Sequence, residues 1–378
     1  MPIGLYIHVP FCIKKCNYCD FVSYPYNEGL AVSYVSALDK EMGLHMASLH
    51  PEHREVKSIY LGGGTPSTLP GELLRTIVDN CRQHFTVTGD AEITVECNPC
   101  TVDLAKFNEL RKAGVNRISM GVQAYQQELL SRLGRTHSWR EVVEAARNCR
   151  KAGFDNISFD LIFGIPGQAM KNWRETLERI VELDPVHISA YNLKIEPDTP
   201  LHRDVAAGYL VPCDEDLELE MFWHAINYLT GNGFIHYEIS NFARPGRAAR
   251  HNLIYWLNGE YLGLGPAAHS MLNGHRFSNE RSVELYINKL KKGEFPVAAT
   301  HRLSRDEEVS ETVFLGLRLI RGLDINAFEE RFGQSLPDIY GIQVKKLVGL
   351  GLVELKAGYL RLTEKGLPIA NEVFAEFV

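Results

Sequence analysis

Three cysteines, Cys12, Cys16 and Cys19, stand within eight residues, directly after the apolar run Leu5-Tyr6-Ile7-His8-Val9. Thiolates at that density hold iron–sulfur clusters, and a cubane bound by only three of them leaves one iron open to a small molecule. Two other readings stay open at this level. A structural zinc site wants four N or S ligands, usually as two spaced pairs, with His8 able to supply a fourth; unrelated buried cysteines are the other. Eight cysteines in a 378-residue chain do not make a disulfide framework, because a large core removes the need for one. Cys97 and Cys100 form a C-x-x-C pair, but Cys97 falls inside an expected strand with no helix start beside it to lower a thiol pKa, so neither redox nor zinc chemistry is expected there. Cys81, Cys149 and Cys213 read as ordinary buried cysteines.

Further polar groups follow apolar runs. Leu61-Gly62-Gly63-Gly64-Thr65-Pro66-Ser67 offers glycines that let a ligand approach the backbone closely. Glu96, Gln123 and Asp160 stand at or near the ends of later runs, with Arg135 shortly after one. A single polar residue in such a place is more often a hydrogen-bonded structural group than a ligand contact, so their weight lies in their number.

These positions acquire meaning from the elements that carry them. Strands are expected over 5–9, 58–62, 92–98, 117–123, 157–164 and 187–193, with helices over 71–85, 102–113, 138–152 and 171–183, several closed by a glycine such as Gly114 or Gly153. Successive right-handed βα units make a parallel sheet, and ligands gather at the C-terminal ends of its strands. The expected domains are 1–213, bearing the cysteine loop and strand-end residues; 214–303, a helix near 214–229 and then glycine-rich loops covering one end of the sheet; and 304–378, helices followed by a hairpin around Ala357-Gly358, in the manner of a winged helix.

A winged helix invites a DNA-binding reading. Nine Lys and Arg against twelve Asp and Glu from residue 304 onward give that region the wrong sign for phosphate, so no nucleic-acid partner is expected. The whole chain carries a formal charge of −7, with 45% hydrophobic and 23% charged residues, an ordinary globular composition. No apolar run reaches the roughly 18 residues of a membrane span, and the start Met1-Pro2-Ile3-Gly4 lacks a basic region followed by an apolar stretch. A cytoplasmic protein whose mature chain begins at Met1 is expected, with peripheral membrane contact left open.

The three-then-two cysteine spacing, with Tyr18 before the last cysteine, resembles the signature of the radical S-adenosylmethionine (SAM) superfamily. The resemblance implies a 4Fe-4S cluster on Cys12, Cys16 and Cys19 and SAM chelated to the fourth iron, with a reductant as partner. Gly63, Gly64 and Thr65 are similar to the motif that meets the SAM ammonium group. Val95-Glu96-Cys97-Asn98-Pro99 and Ser158-Phe159-Asp160-Leu161, with the other strand ends, look like the oxygen-independent coproporphyrinogen dehydrogenase group. There the residues matching Tyr6, Tyr18, Glu96, Gln123, Arg135 and Asp160 serve the SAM site, and the same match adds Lys194 and His269. The implied fold is α/β, a partial (βα)6 barrel with a mainly helical, winged-helix-like C-terminal domain.

Within that group, dehydrogenases carry a further cysteine two positions past the third ligand, where this chain has Phe21, and a longer segment before the cluster loop. Arg250-His251-Asn252-Leu253-Ile254-Tyr255-Trp256 instead resembles the His-Asn-x-x-Tyr-Trp motif of the group's heme chaperones. An imidazole can ligate heme iron, and Tyr255 and Trp256 offer flat apolar faces to a porphyrin. The resemblance therefore implies a heme chaperone, with His251, Asn252, Tyr255 and Trp256 as heme site and with a heme donor and an apo-hemoprotein acceptor as partners. The alternative is the dehydrogenase, which decarboxylates two propionates of coproporphyrinogen III.

Overall fold

The computed structural model describes residues 2–378, so Met1, taken above as the start of the mature chain, lies outside the described residues. Strands β1 Ile3–Val9, β2 Glu55–Gly63, β3 Thr86–Cys97, β4 Arg117–Gln123, β5 Ile157–Phe163 and β6 His187–Asn192 form where the apolar runs put them. They are joined by α1 Glu28–Ser48, α2 Gly71–His84, α3 Leu104–Lys112, α4 Gln127–Arg132, α5 Trp139–Lys151 and α6 Met170–Glu182. Local chemistry sets the helix ends. Asp103 caps α3 by accepting from the Lys106 amide at 2.8 Å, Ser138 and Glu141 make a capping box on α5, and Gly114 and Gly153 turn the chain out of α3 and α5 at φ of 84° and 88°. Helix α1 is not singled out by the sequence pattern because its buried face includes Glu41 and His45, which blur the apolar period.

The stretch expected to be covering loops is largely regular structure. After α7 Pro200–Ala206 and α8 Glu215–Gly231 come β7 Ile235–Glu238, β8 Asn241–Ala243, α9 Arg250–Trp256, β9 Tyr261–Leu264, β10 His269–Leu272, β11 His275–Asn279, α10 Val283–Lys291 and β12 Val297–Arg302. All six strands join the main sheet, whose order is β12-β11-β10-β9-β1-β2-β3-β4-β5-β6-β8-β7. Strand β9 is a seventh parallel member, pairing Gly4 with Tyr261 and Ile7 with Leu264. Because β12 and β7 remain edges, the barrel is partial, as the sequence resemblance implied, though wider than six strands.

Alternation along the parallel strands sorts residues onto two faces. Leu5, Ile7, Ile59, Leu61, Ile93, Val95, Ile118, Met120, Phe159 and Leu161 belong to one core that includes the helices. Their neighbours Tyr6, Tyr60, Glu92, Glu96, Arg117, Ser119, Asp160 and Ser189 face the concave side, a polar set too large to be accidental and held in one place by the curvature of the sheet.

The C-terminal region has its own core, built on Val313, Phe328, Leu347, Leu360 and Phe374. It comprises α11 Arg305–Gly316, β13 Leu323–Asp324, α12 Ile325–Phe332, α13 Leu336–Gly349, the hairpin β14 Val353–Lys356 and β15 Tyr359–Leu362, and α14 Ala370–Ala375. Ala357 and Gly358, both at positive φ, form the two-residue turn of that hairpin, and β13 completes a three-stranded sheet. The region is tied to the barrel by Ile239 N–H donating to Arg318 O at 3.1 Å and by a two-pronged Arg276–Glu311 ion pair. Among the described residues no helix is long and apolar enough to cross a membrane.

Candidate functional site

The concave side opens at the C-terminal ends of the strands into a cavity of about 470 Å³, lined by all three cluster-loop cysteines. Their loop is pinned from several sides. Asn17 donates twice to the end of α4, from its backbone N–H to Leu133 O and from its side-chain Nδ2 to Arg132 O, both at 2.9 Å, while His8 Nε2 bonds Val22 O at 2.8 Å. Gly64 and Thr65 amides donate to Val9 O and Phe11 O, which lays the glycine segment against the loop. That closeness requires glycine: a Cβ on Gly64 would stand 2.7 Å from Phe11 O, and Gly63 combines a φ of 108° with a would-be contact of 2.5 Å to the His8 ring.

Cys12 is buried, with its Sγ 3.5 Å from Thr65 Oγ1, while Cys16 and Cys19 are half-buried. Burial raises the Cys12 thiol and pushes Cys19 up to about 11. No three His, Cys, Asp or Glu side chains among the described residues converge on a single ion-sized point; the three thiols instead edge one wall of a large cavity. A cluster several ångströms across fits that wall better than one zinc ion, and His8 is committed to Tyr6 and Val22 rather than offered as a fourth ligand.

The expected SAM residues divide. Tyr18, Gly63, Gly64, Thr65, Glu96, Gln123, Arg135, Asp160 and Lys194 line the cavity, Lys194 at its rim with an exposed side chain paired to Glu196 at 2.8 Å. Tyr6 lines an adjoining chamber of about 210 Å³. His269 does not join them: it is exposed on β10, beyond β9 and outside the lining of both cavities. Glu96 accepts from Tyr60 OH at 2.7 Å and Gly63 N–H at 3.2 Å, and burial pushes its carboxyl up to about 7. Asp160, also raised by burial, accepts from Ser189 Oγ at 2.7 Å and Ser119 Oγ at 3.0 Å. Arg135 reaches Cys16 Sγ at 3.6 Å and the Gly121 carbonyl. Gln123 holds a left-handed φ of 68°, a costly conformation for a non-glycine residue and one that concentrates at binding sites.

Several lining residues escaped the sequence reading, namely Tyr60, Arg117, Ser119, Ser189 and Tyr191. Strand alternation from Glu96 and Asp160 would have found Ser119 and Ser189, since each occupies the matching face of its strand. Cys97 is buried with its thiol pushed up to about 12, in keeping with an inert role, whereas Cys213 is half-buried rather than buried.

The motif helix α9 lies in the barrel's concave side. Glu92 caps it, accepting from the Arg250 and His251 amides at 3.1 and 3.0 Å. His251 is not presented on a covering loop as expected: it is 1% exposed, with Nδ1 2.9 Å from Ser58 Oγ and Nε2 2.8 Å from Tyr255 OH. Burial first, and Arg117 second, push its pKa down to about 3, so the ring is neutral. His251, Asn252 and Tyr255 line the smaller chamber, and Asn252 lines the large cavity as well. Trp256 lines neither; the Arg318 guanidinium covers it at 4.2 Å from the ring centroid.

Comparisons with known proteins agree with this anatomy. Residues 6–180 match the radical SAM superfamily and residues 303–369 match the HemN C-terminal domain. The chain is 36% identical over 374 residues to the heme chaperone HemW of Bacillus subtilis, spanning 99% of this chain and 98% of that one. It is 34% identical to HemW of Escherichia coli, across 100% and 98% of the two chains. Among solved structures, coproporphyrinogen III oxidase (HemN) of E. coli, described as a radical SAM enzyme, superposes with a TM-score of 0.87 at 26% identity, covering 100% of this chain and 90% of the other. Membership of the superfamily implies a 4Fe-4S cluster and SAM, which the cysteine wall and the polar strand ends suit. Similarity that runs from end to end, through the cysteine loop, the motif helix and the C-terminal region alike, makes this chain a member of the HemW family within the radical SAM superfamily.

Proposed function

We propose that this protein is a cytoplasmic heme chaperone, which holds a 4Fe-4S cluster on Cys12, Cys16 and Cys19, SAM in the large cavity and heme at the α9 motif, and passes heme from a donor to an apo-hemoprotein. The observation that carries the reading is that α9 forms a wall common to both cavities: Asn252 faces each, with the cysteines in one and His251 and Tyr255 in the other. In the SAM part of the site, Glu96 and Asp160 accept from ligand amine and hydroxyl groups, and the glycines beside the cluster loop leave room for the ligand at the backbone. When bound, the cluster supplies an open iron for the SAM methionine and a route for one electron from a reductant. Arg135 donates to Cys16 Sγ and so holds positive charge against that edge of the cluster loop.

The dehydrogenase reading draws on the likeness to HemN. Phe21, 60% exposed at the mouth of both cavities, stands where that reading needs a cysteine and favours the chaperone. The two are separated by offering the anaerobically reconstituted protein heme in one experiment and coproporphyrinogen III, SAM and a reductant in another. A chaperone binds heme and leaves the porphyrinogen intact; protoporphyrinogen IX formed over many turnovers would replace this reading with the enzyme.

A further inference from the structure

Ser58 belongs to no recognised motif, lies in the first half of the glycine-bearing strand β2, and is fully buried. It is nevertheless the partner of His251 Nδ1, at 2.9 Å. The two nitrogens of the ring look in different directions. Nδ1 turns to Ser58, which lines neither cavity, and Nε2 turns to the hydroxyl of Tyr255, which with His251 lines the chamber of about 210 Å³. The ring itself is held flat against Tyr60, with centroids 5.2 Å apart and planes 23° apart, and Gly4 leaves the space for it, since a Cβ there would stand 3.3 Å from the imidazole. A neutral imidazole has one N–H and one lone pair, and whichever nitrogen donates fixes the other as the acceptor or metal ligand.

We propose that Ser58 is a positioning residue that accepts from His251 Nδ1–H, so that the lone pair stands on Nε2 toward the chamber, and that the Tyr255 hydroxyl is a latch which occupies this lone pair until heme iron displaces it. The inference deepens the proposed heme reading and rests on it. It assigns opposite roles to two hydroxyls on the same ring. Residues that orient a metal-bound histidine through its second nitrogen cost roughly 10- to 100-fold in metal affinity when lost. A hydroxyl that must leave before iron can bind slows binding, and its removal relieves the protein of breaking one hydrogen bond. Tyr255→Phe keeps the aromatic face and deletes only the latch.

The test is stopped-flow and equilibrium titration of ferric heme into the reconstituted protein, followed in the Soret band, for wild type, Ser58→Ala, Tyr255→Phe and His251→Ala. Ser58→Ala is expected to weaken heme binding by about 10- to 100-fold and to shift the Soret band. Tyr255→Phe is expected to raise the association rate by about threefold to tenfold, the weight of one neutral hydrogen bond. A merely structural contribution from both hydroxyls would move the two variants in the same direction, and that result overturns the proposal. Tyr255→Phe loses no packing, so it decides the matter alone if Ser58→Ala fails to fold: an unchanged or slower association rate, or loss of the heme spectrum, refutes the latch. Failure of the underlying reading looks different, since His251→Ala would then leave the wild-type heme spectrum intact.

Discussion

Glu96→Gln offers a sharp test of the SAM site. The carboxylate of Glu96 accepts from Tyr60 OH and Gly63 N–H, and burial pushes its pKa up to about 7. The amide keeps the volume and one acceptor: its oxygen can serve the Gly63 amide while its NH2 donates to the Tyr60 oxygen, so the fold should survive. What is lost is a charge-assisted bond to the ligand ammonium, worth about 1.5 to 3 kcal/mol, or roughly 10- to 150-fold in dissociation constant. The sign of the pH effect follows from the raised pKa. An acid titrating near 7 is mostly ionised at pH 8 and mostly protonated at pH 6, so wild-type affinity for SAM should fall by up to about tenfold between them. The ligand's own α-amino group titrates in the same range, but it does so equally for both proteins, so the ratio of wild type to variant isolates Glu96. Anaerobic calorimetry at pH 6, 7 and 8 gives that ratio, which should be large at pH 8 and shrink toward pH 6. A variant that binds SAM within about twofold of wild type at pH 8, or a ratio that does not change with pH, would remove Glu96 from the ligand site.

Replacing Cys12, Cys16 or Cys19 by Ala should abolish the 4Fe-4S cluster, read as loss of the EPR signal that reduction produces; a full cluster in any single variant, or native zinc, defeats the assignment. Gly63→Ala should cost more than 1 kcal/mol and lower the cluster content, because it forces a Cβ into a φ of 108° and into the His8 ring that holds Val22 of the cluster loop; iron and sulfide analysis at equal protein decides. Outside the lining of both cavities, buried Glu41 accepts from Gly265 N–H, Tyr286 OH and Asn279, and Glu41→Ala should destabilise the protein by about 3 kcal/mol or more in guanidinium melts, since three donors lose their partner. Its carboxyl is pushed up to about 7 by burial, so it binds a proton more tightly folded than unfolded; this contribution to stability is full below the unfolded pKa and is lost as pH rises toward and through 7. Wild type should therefore lose stability relative to Glu41→Gln between pH 5 and 8, and parallel profiles would contradict the assignment.

Much of the site is local in sequence. Cys12, Cys16 and Cys19 follow one strand on one loop, and Gly63, Gly64 and Thr65 follow the next, so spacing alone puts them at neighbouring strand ends. The βα rhythm, the caps at Asp103 and Ser138 and the hairpin turn at Ala357-Gly358 depend on residues a few positions apart, and the sequence by itself determined them. Period-two alternation also decided which residues share the concave face with Glu96 and Asp160, although it takes the strand register to bring Ser119 and Ser189 to the same carboxylate. The rest is non-local. Strand β9 joins β1 through pairs such as Gly4 with Tyr261, which no local pattern announces in a glycine-rich stretch, and the strand that follows it leaves His269 exposed, outside the lining of both cavities. His251 is legible as a candidate ligand, yet only the packing of α9 against β2 turns its Nδ1 to Ser58 and its Nε2 to Tyr255. Which residue types can do the chemistry is written along the chain; which nitrogen faces a ligand depends on what the fold brings to the other side of the ring.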